Sequence, residues 1–214
     1  VDFDYFKIED KISDCRWADV CYADDELEGH KLDIYLPDTG KSSHKVVVLI
    51  YGSAWFANNM KQNAFQVFGR SLLDKGFAVV SINHRSSRDA KFPAQINDVK
   101  AAIRFIRANA AKYKLDTSFI GITGFSSGGH LASLAGTTNG VKSYTIGDKT
   151  VDLEGNVGEY FSFSSRVDAV VDWFGPIDMT RMENCNTTKG ANSPEAALIG
   201  GIPADNLDML ALLN

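Results

Sequence analysis

Residues 118–131, Ser-Phe-Ile-Gly-Ile-Thr-Gly-Phe-Ser-Ser-Gly-Gly-His-Leu, are the stretch of sequence that decides the fold. The apolar run 118–123 predicts a strand buried on both faces, and a helix is predicted from about Ser126. A sharp turn between the two holds a serine in a strained backbone conformation with its hydroxyl raised above the sheet edge. Glycine two residues before and two residues after Ser126 leaves room for that turn, whereas Ser127 lacks this pattern. Ser126 is therefore the candidate nucleophile.

Apolar runs alternate with helical patterns along the rest of the chain. Strands are predicted at 20–22, 31–36, 46–51, 77–82, 118–123 and 167–174. Helices are predicted at 60–75 and from Pro93, Ser126 and Ser193. Because the last four strands are apolar throughout, we expect an α/β fold whose mostly parallel sheet has helices on both faces and a short antiparallel entry. Ligands bind at the carboxyl ends of such strands, and the insert 136–166 is expected as a loop or hairpin near that site.

The composition is that of an ordinary globular protein and limits the classes of function. The 214 residues are 44% hydrophobic and 23% charged, which suits a single domain with a sizeable core. The net charge of −5 disfavours nucleic acid as a partner, because nucleic-acid binders present a basic face. The longest apolar run, 46–51, is far shorter than the roughly 20 residues that span a bilayer, so no membrane span is expected.

The cysteines and histidines give no sign of a disulfide framework or a metal site. Cys15, Cys21 and Cys185 are few and odd in number, so free thiols are favoured over a Cys15–Cys21 pair. The histidines are too scattered for a zinc site. The chain starts at Val1 without a leader pattern, which leaves the compartment open, with a secreted or periplasmic location slightly favoured over the cytoplasm. One glycosylation-acceptor pattern starts at Asn186.

A second short segment, Tyr51-Gly52-Ser53-Ala54-Trp55, ends the predicted strand 46–51. Small residues there let backbone N–H groups point into a site at the neighbouring strand end. Acyl transfer builds negative charge on a carbonyl oxygen, and each donor fixed at that oxygen lowers the barrier by roughly 3 kcal/mol. The candidate oxyanion donors are the N–H groups of Ser53, Ala54 and Ser127.

These motifs resemble those of α/β-hydrolase esterases, near the hormone-sensitive-lipase-like and bifunctional acetylxylan/feruloyl esterase groups. The resemblance covers nearly the whole chain, through the segments 31–37, 51–55, 83–98, 124–131 and 170–178. It implies an α/β-hydrolase fold with strands 1–6 of the usual eight, and a serine esterase with no metal or cofactor. The implied substrate is a small ester or an acylated carbohydrate, such as acetyl or feruloyl esters of plant polysaccharide. Trp55 and Phe125 are candidate substrate-binding residues, with core packing as the alternative.

The sequence departs from the family pattern around the oxyanion segment. Tyr51 stands where the family has histidine, and Ser53 and Ala54 replace two glycines. These changes keep the backbone donors and narrow the pocket. His84 stands where tyrosine is usual, a difference that the sequence leaves without an interpretation.

No residue after Ser126 is a clear general base, which a serine nucleophile needs. The family order places the acid and then the histidine after the nucleophile, yet only His130 follows it here. His130 lies one helical turn from Ser126, where a structural role is favoured. Asp178 is an alternative candidate for the acid. It ends a Gly-Pro-x-Asp segment that resembles the family pattern, and this resemblance favours a structural role. Asp98 is expected to be a helix-surface or ion-pairing residue.

The missing base leads to an expectation about the extent of the domain. We expect residues 1–214 to be one α/β-hydrolase domain that is incomplete at its C-terminal side. The missing strands would then come from another segment or a second polypeptide. Without them, the strand at 167–174 is an apolar edge, which native sheets avoid.

Three functions remain open on the sequence alone. The first is a serine esterase that uses Ser126, and the second is a non-catalytic protein of the same fold that binds a ligand or partner. The third is an amidase or peptidase. The pair of glycines around Ser126, together with the donor segment, favours the esterase.

Overall fold

The computed structural model describes residues 15–185 and 187–214, so Asn186 of the glycosylation pattern lies outside the described residues. Its strands are β1 (Cys15–Cys21), β2 (Lys31–Tyr35), β3 (His44–Ile50), β4 (Ala78–Ile82), β5 (Leu115–Phe125), β6 (Ser143–Ile146), β7 (Lys149–Asp152) and β8 (Ala169–Trp173). The main sheet has six strands in the order β1-β2-β4-β3-β5-β8, and β6 and β7 form a separate hairpin.

The helices are short, apart from two that pack beside the sheet. They are α1 (Lys61–Ala64), α2 (Arg70–Asp74), α3 (Ala94–Ala108), α4 (Ser127–Thr137), α5 (Met182–Cys185), α6 (Pro194–Ile199) and α7 (Leu207–Ala211). A π-helical turn, Phe65–Gly69, joins α1 to α2, so the helix predicted at 60–75 is interrupted at its middle. Among the described residues, no helix has the length and apolar character needed to cross a membrane.

The strand pairing confirms the expected sheet. β3 lies parallel to β4 and β5, and β5 lies parallel to β8. β1 and β2 form the antiparallel entry. The first strand is longer than predicted, because two register shifts and exposed residues along β1 hide its alternation in the sequence.

The core has two parts, one on each face of the sheet. Val46, Val48 and Ile50 of β3 pack with α3 and α4, whereas the alternating Val47 and Leu49 pack with residues of α1, the π-helical turn and α2. This division follows from the two-residue period of a strand. The three cysteines are free thiols, so the Cys15–Cys21 pair is not formed.

β8 lies at the edge of the sheet, and the prediction that 167–174 is a buried strand is wrong. Val171 is 51% exposed, Trp173 45% and Phe174 77%. β8 pairs with β5 on one side, and no described strand pairs with its other side. An apolar run can form either an edge strand or a central strand, so the sequence pattern does not determine whether the strand is exposed. Its exposure depends on the position of the strand in the sheet. The structure shows the apolar edge that the sequence predicts in the absence of further strands.

Candidate active site

Ser126 occupies the turn between the end of β5 and the start of α4. Its backbone has φ +54° and ψ −126°, so the predicted strain is confirmed. The turn is held at both sides, since the Ser126 N–H donates to Trp173 O at 3.0 Å and its carbonyl accepts from the His130 N–H at 3.1 Å. Ser126 Oγ makes no hydrogen bond within the described part of the chain, which leaves it free for a substrate.

The two glycines that flank the turn are required by close backbone contacts. A Cβ atom at Gly124 would collide with the carbonyl of Gly128. A Cβ atom at Gly128 would collide with the carbonyl oxygens of Ile50 and Tyr51 at the end of β3. The lack of space at both glycines agrees with the predicted tight turn, and Gly128 also brings the start of α4 directly against the end of β3.

The segment after β3 lies directly against this turn. A Cβ atom at Gly52 would be only 2.5 Å from Phe125 O and 2.8 Å from Ser126 Cβ. Ala54 and Trp55 both have positive φ, +50° and +60°, in a region where glycine is the usual residue. The donor segment thus keeps a glycine-like backbone at Ala54 despite the side chain.

Two of the three candidate donors have a free N–H group. The Ser53 N–H donates to Ser127 Oγ at 2.8 Å and is therefore already occupied. The Ala54 N–H has no acceptor among the described residues. Ser127 is the first residue of α4, where an N–H group has no partner within the helix. Ala54 and Ser127 therefore remain the candidate donors for an oxyanion beside Ser126.

A cavity of about 370 Å³ opens beside Ser126. Its walls come from the donor segment, the Ser126 turn, the end of β8 and the helices α5 and α6: Ala54, Trp55, Ser126, Ser127, Phe174, Gly175, Pro176, Met182, Pro194 and Glu195. Phe125 lies outside this lining and packs edge-on against Phe68 at 6.1 Å. No residue of the insert 136–166 lines the cavity. Met182 and Glu195 carry no motif that would have placed them here from the sequence.

None of the four histidines makes a hydrogen bond to Ser126 Oγ in the described structure. His30 contacts Asp25 and Asp98, and His84 Nδ1 lies 2.9 Å from Arg85 O. His44 Nδ1 lies 3.5 Å from Thr39 Oγ1. His130 is buried under the helix start, with Nε2 at 2.8 Å from Leu213 O and its ring edge-on to Trp55. No histidine of the described structure is therefore placed in hydrogen-bond contact with Ser126 Oγ.

His130 is held neutral by its surroundings. Burial lowers its pKa to about 4 from 6.5, and the hydrogen bond to Leu213 O only partly opposes that shift. Because the folded pKa is lower than the unfolded one, the unfolded chain binds the proton more readily. This contribution to stability is complete above pH 6.5 and is lost as the pH falls toward 4.

We expect the substitution His130→Gln to reduce the dependence of the free energy of unfolding on pH in the acidic range. In urea unfolding, the wild-type chain should lose about 1 kcal/mol more than the variant for each pH unit below the unfolded pKa. The two aspartates beside His30 raise its pKa, so His30 contributes to the pH dependence with the opposite sign. This contribution is the same in the wild type and in His130→Gln, and the comparison of the two proteins cancels it. Equal slopes in the two proteins would contradict a neutral His130.

The two aspartates considered from the sequence have structural partners. Asp98 is fully buried and accepts hydrogen bonds from the Arg85 backbone N–H and guanidinium, which confirms ion pairing and excludes a surface position. Asp178 is partly exposed, and its carboxylate contacts Thr180 and Arg181. No group of three metal-ligating side chains occurs in the described ranges.

The two unusual residues Tyr51 and His84 form one contact. Their rings stack with centroids 4.9 Å apart and planes 15° apart. Tyr51 also donates its hydroxyl to Ala57 O at 3.1 Å, which ties the end of β3 to the donor segment. The two residues that depart from the expected family pattern therefore pack against each other.

Comparison with known proteins identifies the family of this site. The family model described as BD-FAE matches residues 32–214. Among curated proteins, the chain is 34% identical to the esterase LipQ of Mycobacterium tuberculosis over 139 residues, covering 65% of this chain and 30% of LipQ. It is 33% identical to the probable carboxylic ester hydrolase LipM of the same organism over 169 residues, covering 78% of this chain and 36% of LipM. The chain thus spans about a third of these relatives.

Solved structures share both sequence and fold with the chain. A bifunctional GH43-CE protein of Bacteroides eggerthii is 92% identical with a TM-score of 0.91, over 96% of this chain and 29% of that one. A truncated form of a carbohydrate esterase from gut microbiota is 60% identical with a TM-score of 0.90, over 92% of this chain and 70% of that one. Esterase B of Lactobacillus rhamnosis, at 21% identity and a TM-score of 0.66 over 92% of this chain and 60% of its own, shares the fold.

Proposed function

Because the chain belongs to the BD-FAE family and has the α/β-hydrolase fold, we propose that it carries the nucleophile and oxyanion site of a serine carboxylic-ester hydrolase. The observation that carries the proposal is the strained Ser126, whose φ of +54° has a cost that only a tightly packed turn sustains. Its hydroxyl opens on a cavity, and the N–H groups of Ala54 and Ser127 beside it have no acceptor among the described residues. The esterase relatives support the same reaction.

The proposed reaction proceeds through an acyl-enzyme. Ser126 Oγ attacks the ester carbonyl carbon and gives its proton to a base. The carbonyl oxygen becomes negative and accepts hydrogen bonds from the N–H groups of Ala54 and Ser127, at the positive end of α4. The C–O bond to the alcohol then breaks, and the alcohol leaves with the proton from the base. Water, activated by the same base, attacks the acyl group and restores Ser126.

The base for this reaction lies outside this chain in our proposal. All four histidines of the sequence are within the described residues, and none is bonded to Ser126 Oγ. The open edge of β8 has no partner strand among the described residues, and Phe174 at its end lines the Ser126 cavity. We therefore propose that a further segment or a second polypeptide pairs with β8 and brings the histidine and its acid to Ser126.

The cavity suits an acylated carbohydrate as the substrate. Trp55, Phe174 and Met182 give one side an apolar character that fits an acyl group. The nearly buried Glu195 lines the same cavity and adds a polar residue to its wall. The carbohydrate esterase among the solved relatives supports this substrate class.

The absence of a bonded histidine also favours a second candidate, a non-catalytic protein of the same fold. Labelling with an aryl phosphonate, with imidazole added as an external base, separates the two. We expect imidazole to accelerate modification of the peptide that contains Ser126, as read by mass spectrometry. No modification of that peptide at any imidazole concentration would support the non-catalytic protein.

Ser127 has a positioning role within this proposal, because its hydroxyl fixes the Ser53 N–H and with it the donor segment. We expect Ser127→Ala to slow imidazole-supported cleavage of an aryl acetate by about tenfold, through kcat and with KM nearly unchanged. The exposed Ser118 of β5 provides the matched control, since Ser118→Ala removes a hydroxyl far from the site. An unchanged kcat in Ser127→Ala would contradict the positioning role.

A further inference from the structure

A second cavity, of about 660 Å³, lies away from Ser126 between α3 and the insert. We call it the insert cleft, because Arg104 of α3 forms one side and residues within 140–166 form the rest. It shares no lining residue with the Ser126 cavity. Its size suits a small ligand, and the proposed hydrolysis makes no use of it.

A buried ionic network fixes the floor of the insert cleft. Arg104 is 1% exposed and donates to the Glu154 carboxylate through Nη1 and to Val157 O through Nη2. The other carboxylate oxygen of Glu154 accepts from Ser165 Oγ and lies 3.3 Å from Lys100 Nζ. Both oxygens of the Glu154 carboxylate therefore have partners, which link α3 to the insert.

Two aromatic side chains in the lining of the insert cleft, Phe161 and Phe163, are exposed to solvent. Phe161 is 56% exposed and Phe163 42% exposed, although large apolar side chains are usually covered. The Arg104 guanidinium lies 5.5 Å from the Phe161 ring centre, and Phe163 packs edge-on against Tyr160. These contacts hold the rings in place and leave apolar surface free for a flat ligand face, such as the C–H face of a sugar ring.

The rim of the insert cleft is positively charged in a chain whose net charge is −5. Lys142 and Arg166 are exposed and form no ion pair within the described part of the chain. One oxygen of the acidic Asp152 accepts the backbone N–H groups of Glu154 and Gly155. Cations thus exceed carboxylates in the lining, and the two free cations suit an anionic group.

We infer that the insert cleft binds an acidic saccharide. A sugar ring lies on Phe161 and Phe163, and a uronate carboxylate pairs with Arg166 and Lys142. The hydroxyls of Ser143 and Ser164 in the same lining bond to sugar hydroxyls. This site goes beyond the proposed hydrolysis, because it holds a glycan at a distance from Ser126 and performs no chemistry.

Calorimetric titration of the full chain at low salt tests the inference. The probes are a glucuronate-bearing xylo-oligosaccharide and a neutral xylo-oligosaccharide of the same length. We expect the acidic probe to bind about tenfold more tightly. Phe161→Ala and Arg166→Gln should each weaken its binding by about tenfold. Equal affinity for the two probes, or no binding of either, would overturn the inference.

Matched variants separate this cleft from other surfaces. Tyr144→Ala removes a ring that is 49% exposed on the β6–β7 hairpin and does not line the insert cleft. Lys75→Gln removes an exposed cation that also lies outside the lining of the cleft. Neither should change the affinity, and losses equal to those of Phe161→Ala would contradict a specific site. Binding should also survive Ser126→Ala, so the inference and the proposed hydrolysis fail or succeed separately.

Discussion

Ser126→Ala is expected to reduce aryl acetate cleavage, measured with imidazole supplied as the base, to the rate of imidazole alone. The acetyl adduct on the Ser126 peptide should disappear at the same time. In a form of the protein where a histidine reaches Ser126, the same change should lower kcat by about 10⁴- to 10⁶-fold. The reason is that Ser127, the other hydroxyl residue in the cavity lining, already accepts the Ser53 N–H.

The stability of Ser126 variants provides the control for this experiment. Ser126→Ala keeps the Cβ atom and should leave the urea midpoint nearly unchanged, as should the remote Ser118→Ala. Ser126→Gly should raise the free energy of unfolding by about 1 kcal/mol, because glycine adopts a φ of +54° without strain. Full cleavage by a folded Ser126→Ala chain would end the proposed mechanism.

Gly128→Ala is expected to have the largest effect on stability. Its Cβ atom would collide with the carbonyl oxygens of Ile50 and Tyr51, which belong to backbone and cannot turn aside. Relief requires α4 to move away from β3, at a cost of about 3 kcal/mol or more. The urea midpoint should fall accordingly, and phosphonate labelling of Ser126 should be lost with it.

Gly121→Ala in β5 is the matched control for Gly128→Ala. The nearest atoms to a Cβ atom at Gly121 are side-chain atoms, the closest being Phe119 Cε1 at 3.3 Å. These side chains can shift slightly, so we expect a loss of less than about 1 kcal/mol. Equal losses in the two variants would show that the contact with β3 does not set the cost.

The central strands and the Ser126 turn are predictable from the sequence because their signals are local. The apolar runs of β3, β4 and β5 each lie within a few residues, and the requirement for Gly124 and Gly128 follows from the geometry of one turn. The edge position of β8 is different, because it depends on what pairs with the strand. A run of apolar residues carries no information on that point.

The details of the site depend on contacts between residues far apart in the chain. The acceptor of the Ser53 N–H is a side chain 74 residues away, so the loss of Ser53 as a free donor has no sequence signal. Phe125 lies outside the cavity lining and packs instead on Phe68, a residue of the π-helical turn. Met182 and Glu195 reach the cavity through short helices whose positions the local pattern does not determine.

The stacked Tyr51–His84 pair has a consequence for substitutions at these two positions. The resemblance to hydrolase esterases implies histidine at position 51 and tyrosine at position 84, so the two arrangements would differ by two substitutions. A single substitution at either position changes the buried stacked contact, and replacing Tyr51 also leaves Ala57 O without the Tyr51 hydroxyl. The two positions are therefore physically coupled, and the stability effects of substituting them should be non-additive.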